Sequence, residues 1–351
     1  MNEEHELTPA PEETPAPDAE SQALVEQFLA ETTGTAVTEG EPPPDWHTEA
    51  LPEGHRSGFV AVIGRPNVGK STLVNALVGH KVAIVSPKPQ TTRTRVTGIL
   101  TEPDCQIIFI DTPGIHKNPP FRLNRLMVDT AIAAIPDADI ILFVVDVSAP
   151  PRDEDETIAR LLREKAKKSP VIFVMNKMDQ LKMESAEARI ESYWKLLPEY
   201  ADSIPTSATR GTNLDLLHEH LLEFLPEGPR YYPGEQISDQ THYMIASELI
   251  REALLRYTHQ EVPHATAILV EDYEERDNGV TYIAARIWVE RESQKPIIIG
   301  KEGQRLKQIG QAAREELERF VGGKVYLDLW VKVKPKWRDQ NARLQELGYG
   351  Q

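Results

Sequence analysis

Continuous apolar runs alternate with amphipathic stretches between about residue 58 and residue 228. The runs are rich in β-branched residues and lie at residues 59–63, 106–110, 140–145 and 171–175. Strands buried on both faces have this pattern, because helices cover both sides of a parallel sheet. The pattern predicts an α/β domain with a mostly parallel sheet, whose ligands gather at the carboxyl ends of the strands.

A different pattern begins after the Pro- and Gly-containing break at residues 226–229. Its predicted elements, in chain order, are a helix at about 240–257, strands at 265–270 and 280–289 joined through a polar turn at 277–279, a Gly-Lys-Glu-Gly loop at 300–303, an amphipathic helix to Phe320, and a strand at 324–331. The order predicts a second, smaller α/β module.

The chain ends are predicted to lie outside these two modules. Up to Ser57 the chain has 14 Asp and Glu against one basic residue, and this segment is rich in Pro, Glu, Thr and Ala. Such a segment buries too little apolar surface to offset its ordering entropy. We predict a disordered acidic tail at 1–57, the first domain at 58–228, a linker with the second domain at 229–338, and a C-terminal tail at 339–351.

Charge and composition narrow the function classes. Of the net charge of −16, only −3 remains outside the tail, so the acidic composition does not exclude nucleic acid as a partner. The single cysteine, Cys105, cannot form an internal disulfide, which favours a reducing compartment. No run approaches the roughly 20 apolar residues that a membrane-spanning helix needs, and the N-terminus does not resemble a signal peptide. We expect a cytoplasmic monomer without a metal cluster.

The most specific motif follows the first predicted strand and precedes a predicted helix. Its residues are Gly64, Arg65, Pro66, Asn67, Val68, Gly69, Lys70, Ser71 and Thr72. Glycines at both ends let the backbone turn tightly and point its N–H groups at the phosphates of a nucleotide. Lys70 is placed to reach the β- and γ-phosphates, and Ser71 to ligate Mg²⁺. The chain is therefore predicted to bind a nucleoside triphosphate.

Two further segments predict the base. Asn176, Lys177, Met178 and Asp179 directly follow a predicted strand, and the Asp179 carboxylate can accept from N1–H and the exocyclic amine of guanine. Adenine lacks that pair of donors, so this motif favours GTP and GDP. We expect Asn176 to tie this segment to the phosphate loop. Ser207, Ala208 and Thr209 follow a short predicted strand, where their N–H groups can reach guanine O6.

Two loops are candidates for sensing Mg²⁺ and the γ-phosphate. Asp111, Thr112, Pro113 and Gly114 end a predicted strand and place a carboxylate near the metal. The loop at residues 88–95 contains two threonines, of which Thr92 is our choice over Thr91. The predicted metal ligands are Ser71, Thr92 and Asp111.

Together these motifs resemble the TrmE, Era and EngA superfamily of translation-factor-class GTPases, and within it the Era family, over residues 58 to about 338. The resemblance implies GTP hydrolysis with Asn67, Lys70 and Thr92 as catalytic residues. Ile115 follows the DTPG motif where Ras-like enzymes have a glutamine that orients water. The resemblance implies that Asn67 helps to hold a K⁺ ion which accelerates slow basal turnover. The alternative is that Asn67 only fixes the loop.

The Gly-Lys-Glu-Gly loop resembles the GXXG loop of a type II KH domain, in which paired glycines let a nucleic-acid backbone approach. Residues 291–338 carry 12 Lys and Arg against six Asp and Glu. The candidate RNA-binding residues are Ile298, Ile299, Gly300, Lys301, Glu302, Gly303, Arg305 and Lys307. Ile298 and Ile299 could support bases in the groove, although we expect core packing to be their main role.

The resemblance implies a GTP-switched protein that binds 16S ribosomal RNA and assists assembly of the 30S subunit. Two other interpretations remain open from the sequence. The basic C-terminal surface could serve a signalling switch at the cytoplasmic face of the inner membrane. Alternatively, the chain could be a passive RNA-binding scaffold in which the nucleotide is only structural.

Overall fold

The computed structural model describes residues 50–88, 90–117, 119–166, 168–259 and 261–349. The predicted acidic tail up to Glu49 thus lies outside the described residues. Residues 50–57, the end of the predicted tail, are ordered: Arg56 begins the first strand, and His55 Nδ1 lies 2.8 Å from the carbonyl oxygen of Gly228. Pairing with the end of the first domain orders this short stretch.

The first domain contains a six-stranded sheet in the order β2-β3-β1-β4-β5-β6, in which only β2 runs antiparallel. Its elements, in chain order, are β1 (Arg56–Ile63), α1 (Lys70–Val78), β2 (Val96–Thr101), β3 (Cys105–Asp111), α2 (Arg122–Ala133), β4 (Ile140–Asp146), α3 (Asp153–Lys165), β5 (Val171–Asn176), α4 (Ala186–Trp194), β6 (Asp202–Pro205) and α5 (Leu214–Phe224). Apolar clusters fill both faces of the sheet, which confirms the predicted α/β class.

Strand β2 was not among the predicted strands. Gly98 interrupts its apolar pattern, and a Cβ there would come within about 3.1 Å of Val78 and Val82 side chains, so the glycine permits close helix packing. The free edge of β2 is covered by the linker, because Ile99 N–H donates to the carbonyl oxygen of Ile237 (2.9 Å). The Thr97 hydroxyl on β2 also donates a hydrogen bond to Oδ2 of the linker residue Asp239 (2.9 Å). It is therefore fastened to the sheet edge.

The second domain has the predicted element order and a three-stranded sheet, β7-β8-β9. Its elements are α6 (His242–Tyr257), β7 (Ala267–Glu275), β8 (Val280–Val289), α7 (Lys295–Ile299), α8 (Gln304–Val321) and β9 (Lys324–Val333). Strands β7 and β8 pair antiparallel, whereas β8 and β9 pair parallel. The three helices pack their apolar residues on one face of this sheet.

The segment predicted as a C-terminal tail forms helix α9 (Asn341–Glu346) and packs against the protein. Leu344 and Tyr349 are buried in a cluster with Trp288, Trp337 and the α2 residue Met127. Two buried tryptophans offer an apolar surface large enough to order this short segment. Within the described part of the chain, no helix has both the length and the apolar character needed to cross a membrane.

Candidate nucleotide site and nucleic-acid groove

The phosphate loop joins the carboxyl end of β1 to the start of α1. Gly69 has a φ of 102°, and a Cβ at this position would lie 2.3 Å from the Asn176 amide nitrogen. Gly64 is equally constrained, because a Cβ there would lie 2.4 Å from the carbonyl oxygen of Val144. The two glycines thus let the loop pass between neighbouring strand ends.

Lys70 begins α1 and turns back into the loop. Its ammonium nitrogen donates to the carbonyl oxygens of Gly64 and Arg65, each at 3.1 Å. Burial lowers the pKa of Lys70 to about 8, against an opposing effect of the Asp111 carboxylate. A nucleotide phosphate beside Lys70 would add negative charge and so stabilise the charged form of this buried ammonium group.

The three predicted Mg²⁺ ligands come from three elements and meet at one point. Ser71 Oγ lies 2.6 Å from Asp111 Oδ2 and 2.8 Å from Thr92 Oγ1, and Thr92 Oγ1 lies 3.3 Å from the same carboxylate oxygen. Oxygen ligands of an octahedral Mg²⁺ are about 3.0 Å apart when the bonds are about 2.1 Å long. Asp111 Oδ1 is buried and has no hydrogen-bond partner among the described residues. This all-oxygen set fits Mg²⁺.

Burial raises the pKa of Asp111, while Lys70 and the two hydroxyl groups oppose that rise. The carboxylate is thus held in a place where an additional cation would stabilise its charged form. Thr91, which the sequence left as the alternative to Thr92, instead donates to the carbonyl oxygen of Lys88 (2.7 Å).

The predicted base-binding segments also lie side by side. The Asn176 amide donates to Val68 O (2.8 Å) and accepts from the Ala208 N–H (3.0 Å), so it links the phosphate loop to both base segments. Ser207 Oγ donates to Asp179 Oδ1 (2.6 Å) and lies 3.4 Å from Thr209 Oγ1. The carboxylate is therefore oriented by the segment expected to face guanine O6.

Hydrogen bonds to backbone carbonyl oxygens also hold the base-binding segments and the DTPG loop in place. Met178 N–H donates to the carbonyl oxygen of Thr206 (3.0 Å), and Lys177 Nζ donates to the carbonyl oxygen of Asn67 (2.8 Å). Thr112 Oγ1 donates to Val62 O (2.8 Å), which fixes the start of the DTPG loop on β1. Pro113 and Val68 are buried beside it.

The sequence analysis missed a charged network behind the phosphate loop. Arg65 Nε lies 3.2 Å from the buried Asp155 carboxylate, and Lys177 Nζ lies 2.8 Å from Asp146 Oδ2. Burial opposes ionisation of Asp146, but its hydrogen bonds with Lys177 and Ser148 hold its pKa below the usual range. Asp146 ends β4 as Asp111 ends β3, and that position is the signal that could have found it.

Gly114 closes onto the phosphate loop in this structure. A Cβ on Gly114 would lie 2.5 Å from the backbone nitrogen of Pro66, and Ile115 N–H donates to Gly64 O (3.2 Å). The Ile115 side chain is buried in the core cluster. It therefore offers no polar group for positioning water, as its residue type already indicates.

The loop that carries Thr92 also contacts the second domain. Ile84 is buried in the core cluster of that domain, and Lys81 Nζ lies 2.6 Å from Glu252 Oε2 on α6. Arg251 donates to the carbonyl oxygen of Thr91, and Arg93 donates to that of Thr266 (2.7 Å). We call residues 81–88 and 90–93 the connecting loop, because they contact both the metal ligands and the second domain.

The GXXG loop lies between α7 and α8. Gly300 has a φ of 74° and a ψ of 178°, a conformation open essentially to glycine, and a Cβ there would lie 2.9 Å from the backbone nitrogen of Arg305. Gly303 has a φ of 77° and would place a Cβ in open space. Lys301 and Glu302 are exposed between them. Arg305 is tied back to Ile297 O (2.6 Å).

A groove runs from this loop between α8 and β9. Its lining includes Gly303, Lys307, Gly310, Arg314, Tyr326 and Leu329. Arg314 and Tyr326 were not among the sequence candidates, since only the pairing of α8 with β9 brings them to the loop. Ile298 is fully buried in the domain core, and Ile299 is half-buried. The structure thus corrects the RNA assignment of Ile298, because three consecutive isoleucines do not reveal which one faces inward.

Two families match this chain in separate regions. A family described as 50S ribosome-binding GTPase matches residues 59–177, and the KH domain family matches residues 261–338. Among similar proteins, GTPase Era of Halothermothrix orenii is 47% identical over 295 residues, which cover 84% of this chain and 99% of the relative. GTPase Era of Lacticaseibacillus paracasei is 49% identical, with coverage of 84% and 97%.

Two similar solved structures cover both domains. One is Era in complex with MgGDPNP and nucleotides 1506–1542 of 16S ribosomal RNA, with a TM-score of 0.80, 42% identity, and coverage of 84% of this chain and 99% of that one. The other is a single-residue variant of Aquifex aeolicus Era bound to GDP and AlF4⁻, with a TM-score of 0.80, 42% identity, and coverage of 84% and 100%.

Proposed function

Because the chain belongs to the Era family of GTPases, we propose that it couples GTP hydrolysis to the binding of 16S ribosomal RNA and thereby assists assembly of the 30S subunit in the cytoplasm. The first domain is the GTPase, with GTP or GDP and Mg²⁺ as its ligands. The KH groove takes the RNA. The observation that carries the coupling is the connecting loop, which has metal-sensing Thr92 at one end and KH-domain contacts along its length.

Mg²⁺ bound to Ser71, Thr92 and Asp111 would neutralise charge on the phosphates. The protein's part is to hold these three side chains together and to keep Lys70 over the phosphate loop. Thr92 leaves this arrangement only if the connecting loop moves. Movement of the loop would displace Ile84 from its packing in the KH core and disturb the hydrogen bond from Arg93 to Thr266. Nucleotide state and KH position are therefore linked.

The segment that follows the DTPG loop also contacts the KH domain. Helix α2 follows the DTPG loop and packs Leu123 and Met127 against Trp288 and Trp337. The backbone N–H of Arg122 donates to Asp339 Oδ1 (2.9 Å). The connecting loop and helix α2 thus both contact the KH domain, which favours the coupled switch over the passive scaffold.

The RNA ligand is inferred from groove chemistry and from the relatives. The GXXG backbone is open at Gly303, and Lys301, Lys307 and Arg314 provide positive charge beside it. Single-stranded RNA suits such a groove, because its phosphates can approach the glycines while its bases meet apolar side chains. The 3′ end of 16S ribosomal RNA is the proposed segment, since a similar Era structure contains nucleotides 1506–1542.

We also propose that K⁺ accelerates hydrolysis at Asn67. Its amide nitrogen donates to Pro87 O in the connecting loop (2.8 Å), so the amide oxygen is the atom that can ligate a cation. Replacing K⁺ with Na⁺ should lower the rate in the native chain and have little effect on Asn67→Ala. Equal rates of the native chain in both salts would contradict the proposal and leave Asn67 as a loop anchor.

The deciding experiment measures single-turnover GTP hydrolysis in K⁺ buffer, with and without an RNA copied from the 3′ end of 16S ribosomal RNA. We expect the RNA to stimulate hydrolysis. A scrambled RNA and the Lys301→Ala/Glu302→Ala variant are the controls, because the variant changes only exposed residues of the GXXG loop. An unchanged rate with RNA bound at saturation would remove the coupling and favour a scaffold.

The membrane alternative is tested with the same variant. Liposomes of anionic phospholipid replace the RNA, and binding is followed by flotation. If RNA is the partner, Lys301→Ala/Glu302→Ala weakens RNA binding and leaves liposome binding nearly unchanged. Liposome binding that exceeds RNA binding and falls with the variant would support peripheral contact with the inner membrane instead.

A further inference from the structure

A second group of side chains that could hold a metal ion lies at the opposite end of the first-domain sheet. Its members are Glu102, Cys105 and His218, and their ligand atoms all lie within 4.8 Å of one another. Cys105 is the first residue of β3, whereas Asp111 is the last. At about 3.3 Å per residue the group lies roughly 20 Å from the Mg²⁺ ligands. It is independent of the nucleotide site.

The backbone fixes two of the three donors. Glu102 N–H donates to the carbonyl oxygen of Cys105 (2.9 Å), which closes the turn between β2 and β3 and points both side chains the same way. Cys105 Sγ then lies 3.6 Å from Glu102 Oε2. The third donor comes from α5, whose residues Leu217 and Leu221 share a core cluster with Cys105. Apolar packing therefore holds His218 beside the turn.

The two distances from Glu102 to the other donors match the edges of a tetrahedron around one ion. His218 Nε2 lies 3.3 Å from Glu102 Oε2. With bonds of about 2.0 Å to nitrogen and oxygen and about 2.3 Å to sulfur, neighbouring ligand atoms in a tetrahedron are about 3.3 to 3.5 Å apart. His218 Nε2 is buried, and within the described ranges it makes no hydrogen bond of acceptable geometry, even to this carboxylate. Its lone pair is thus available to an ion between the three groups.

We propose that Glu102, Cys105 and His218 form a Zn²⁺ site that pins the β2–β3 turn to helix α5, with water as the fourth ligand. The combination of sulfur, nitrogen and oxygen donors suits Zn²⁺ and its analogue Co²⁺, whereas Mg²⁺ prefers oxygen alone. A single ion is not a metal cluster, so the expectation that the chain has no metal cluster stays a prediction. The Zn²⁺ site is separate from the proposed RNA and GTP chemistry.

The cysteine must lose its proton when the ion binds. Burial, together with the Glu102 and Asp104 carboxylates, raises the pKa of Cys105 to about 12 in the protein without metal. The ion forms a bond with the thiolate, and the thiol proton passes to the buffer. The carboxylates that disfavour a free thiolate would then face a divalent cation instead, so their charges become favourable.

Because Cys105 is the only cysteine in the chain, the site has its own spectroscopic probe. The full chain is stripped with EDTA and titrated with Co²⁺ in excess Mg²⁺ and without nucleotide, whose phosphates bind metal themselves. We expect one equivalent of Co²⁺ to produce a near-ultraviolet thiolate charge-transfer band that Zn²⁺ abolishes by displacement. The band should be lost in Cys105→Ser.

Two ligand variants and one matched control complete the experiment. Glu102→Gln and His218→Gln should each weaken Co²⁺ binding about tenfold or more. The control is His220→Gln on the same helix, because His220 faces Asp202 and lies outside the group. Thermal unfolding in EDTA shows whether each variant still folds. The proposal is overturned if saturating Co²⁺ gives no thiolate band, if His218→Gln binds like the native chain, or if His220→Gln loses binding equally.

Discussion

The nucleotide site and the groove beside the GXXG loop differ in how many of their polar groups are already engaged. Ser71, Thr92 and Asp111 contact one another, and Asn176 joins the phosphate loop to the base-binding segments. In the groove, Lys301 and Lys307 extend into solvent. Removing one side chain from a site whose groups hold one another in place should cost much of its activity. In an open groove the binding energy is spread over many weak contacts, so each substitution should cost less.

The largest effect should come from Asp111→Asn. The amide keeps an oxygen for Ser71 and Thr92 but removes the negative charge that Mg²⁺ requires. We expect GTP hydrolysis at fixed Mg²⁺ to fall about 10²- to 10³-fold. Single-turnover hydrolysis over a Mg²⁺ titration measures this, with the exposed Asp104→Asn as the control. A loss below tenfold would show that the carboxylate is not a metal ligand.

Asp179→Asn should change the base preference. The amide can still accept from Ser207 but no longer offers two acceptors to guanine. We expect GDP affinity to fall about 10²-fold, or roughly 3 kcal/mol, and xanthosine diphosphate affinity to rise. Fluorescence titration with both nucleotides provides an internal control. Parallel loss of both affinities would mean that the substitution damages the fold and not the recognition.

In the groove, Gly303→Asn should separate folding from binding. Asparagine tolerates the left-handed conformation, and the side chain would enter open space. We expect an unchanged Tm and an RNA affinity about tenfold lower, because the added group blocks close approach of the RNA backbone. Gly300→Ala is the contrasting variant and should lower the Tm, because its Cβ meets Arg305. Unchanged RNA affinity in Gly303→Asn would place the RNA elsewhere.

The smallest effect should come from Lys81→Gln, which tests the connection between the two regions. Lys81 Nζ lies 2.6 Å from Glu252 and 3.1 Å from Glu316, both in the KH domain. Removing the Lys81 charge breaks both ion pairs and should reduce RNA stimulation of hydrolysis about two- to fivefold, with basal hydrolysis unchanged. The control is Lys195→Gln, which breaks the surface pair with Glu191 within the first domain. An equal effect of both variants would exclude a specific role in coupling.

The sequence analysis predicted most strands and missed β2 and helix α9. The missed elements are held by partners distant in the chain: the linker residue Ile237 covers β2, and Leu344 is buried in a cluster with Met127 and Trp288. Local periodicity does not report such partners. The site residues were predicted because they lie in contiguous motifs. The ion pair between Arg65 and Asp155 joins residues 90 positions apart in the chain, and no sequence motif predicts it. The boundaries of the domains and the roles of the individual site residues stay predictions.

The sequence by itself determined the nucleotide chemistry and the family of this chain. A phosphate loop needs its glycines, lysine and hydroxyl at fixed positions, because one short stretch of backbone must enclose the phosphates. Only the tertiary structure decided which distant groups meet. Packing buries Ile84 and Ile298 in the KH core and brings His218 to Cys105. Such contacts depend on how whole elements pack, and the free energy of that packing is shared over the entire core.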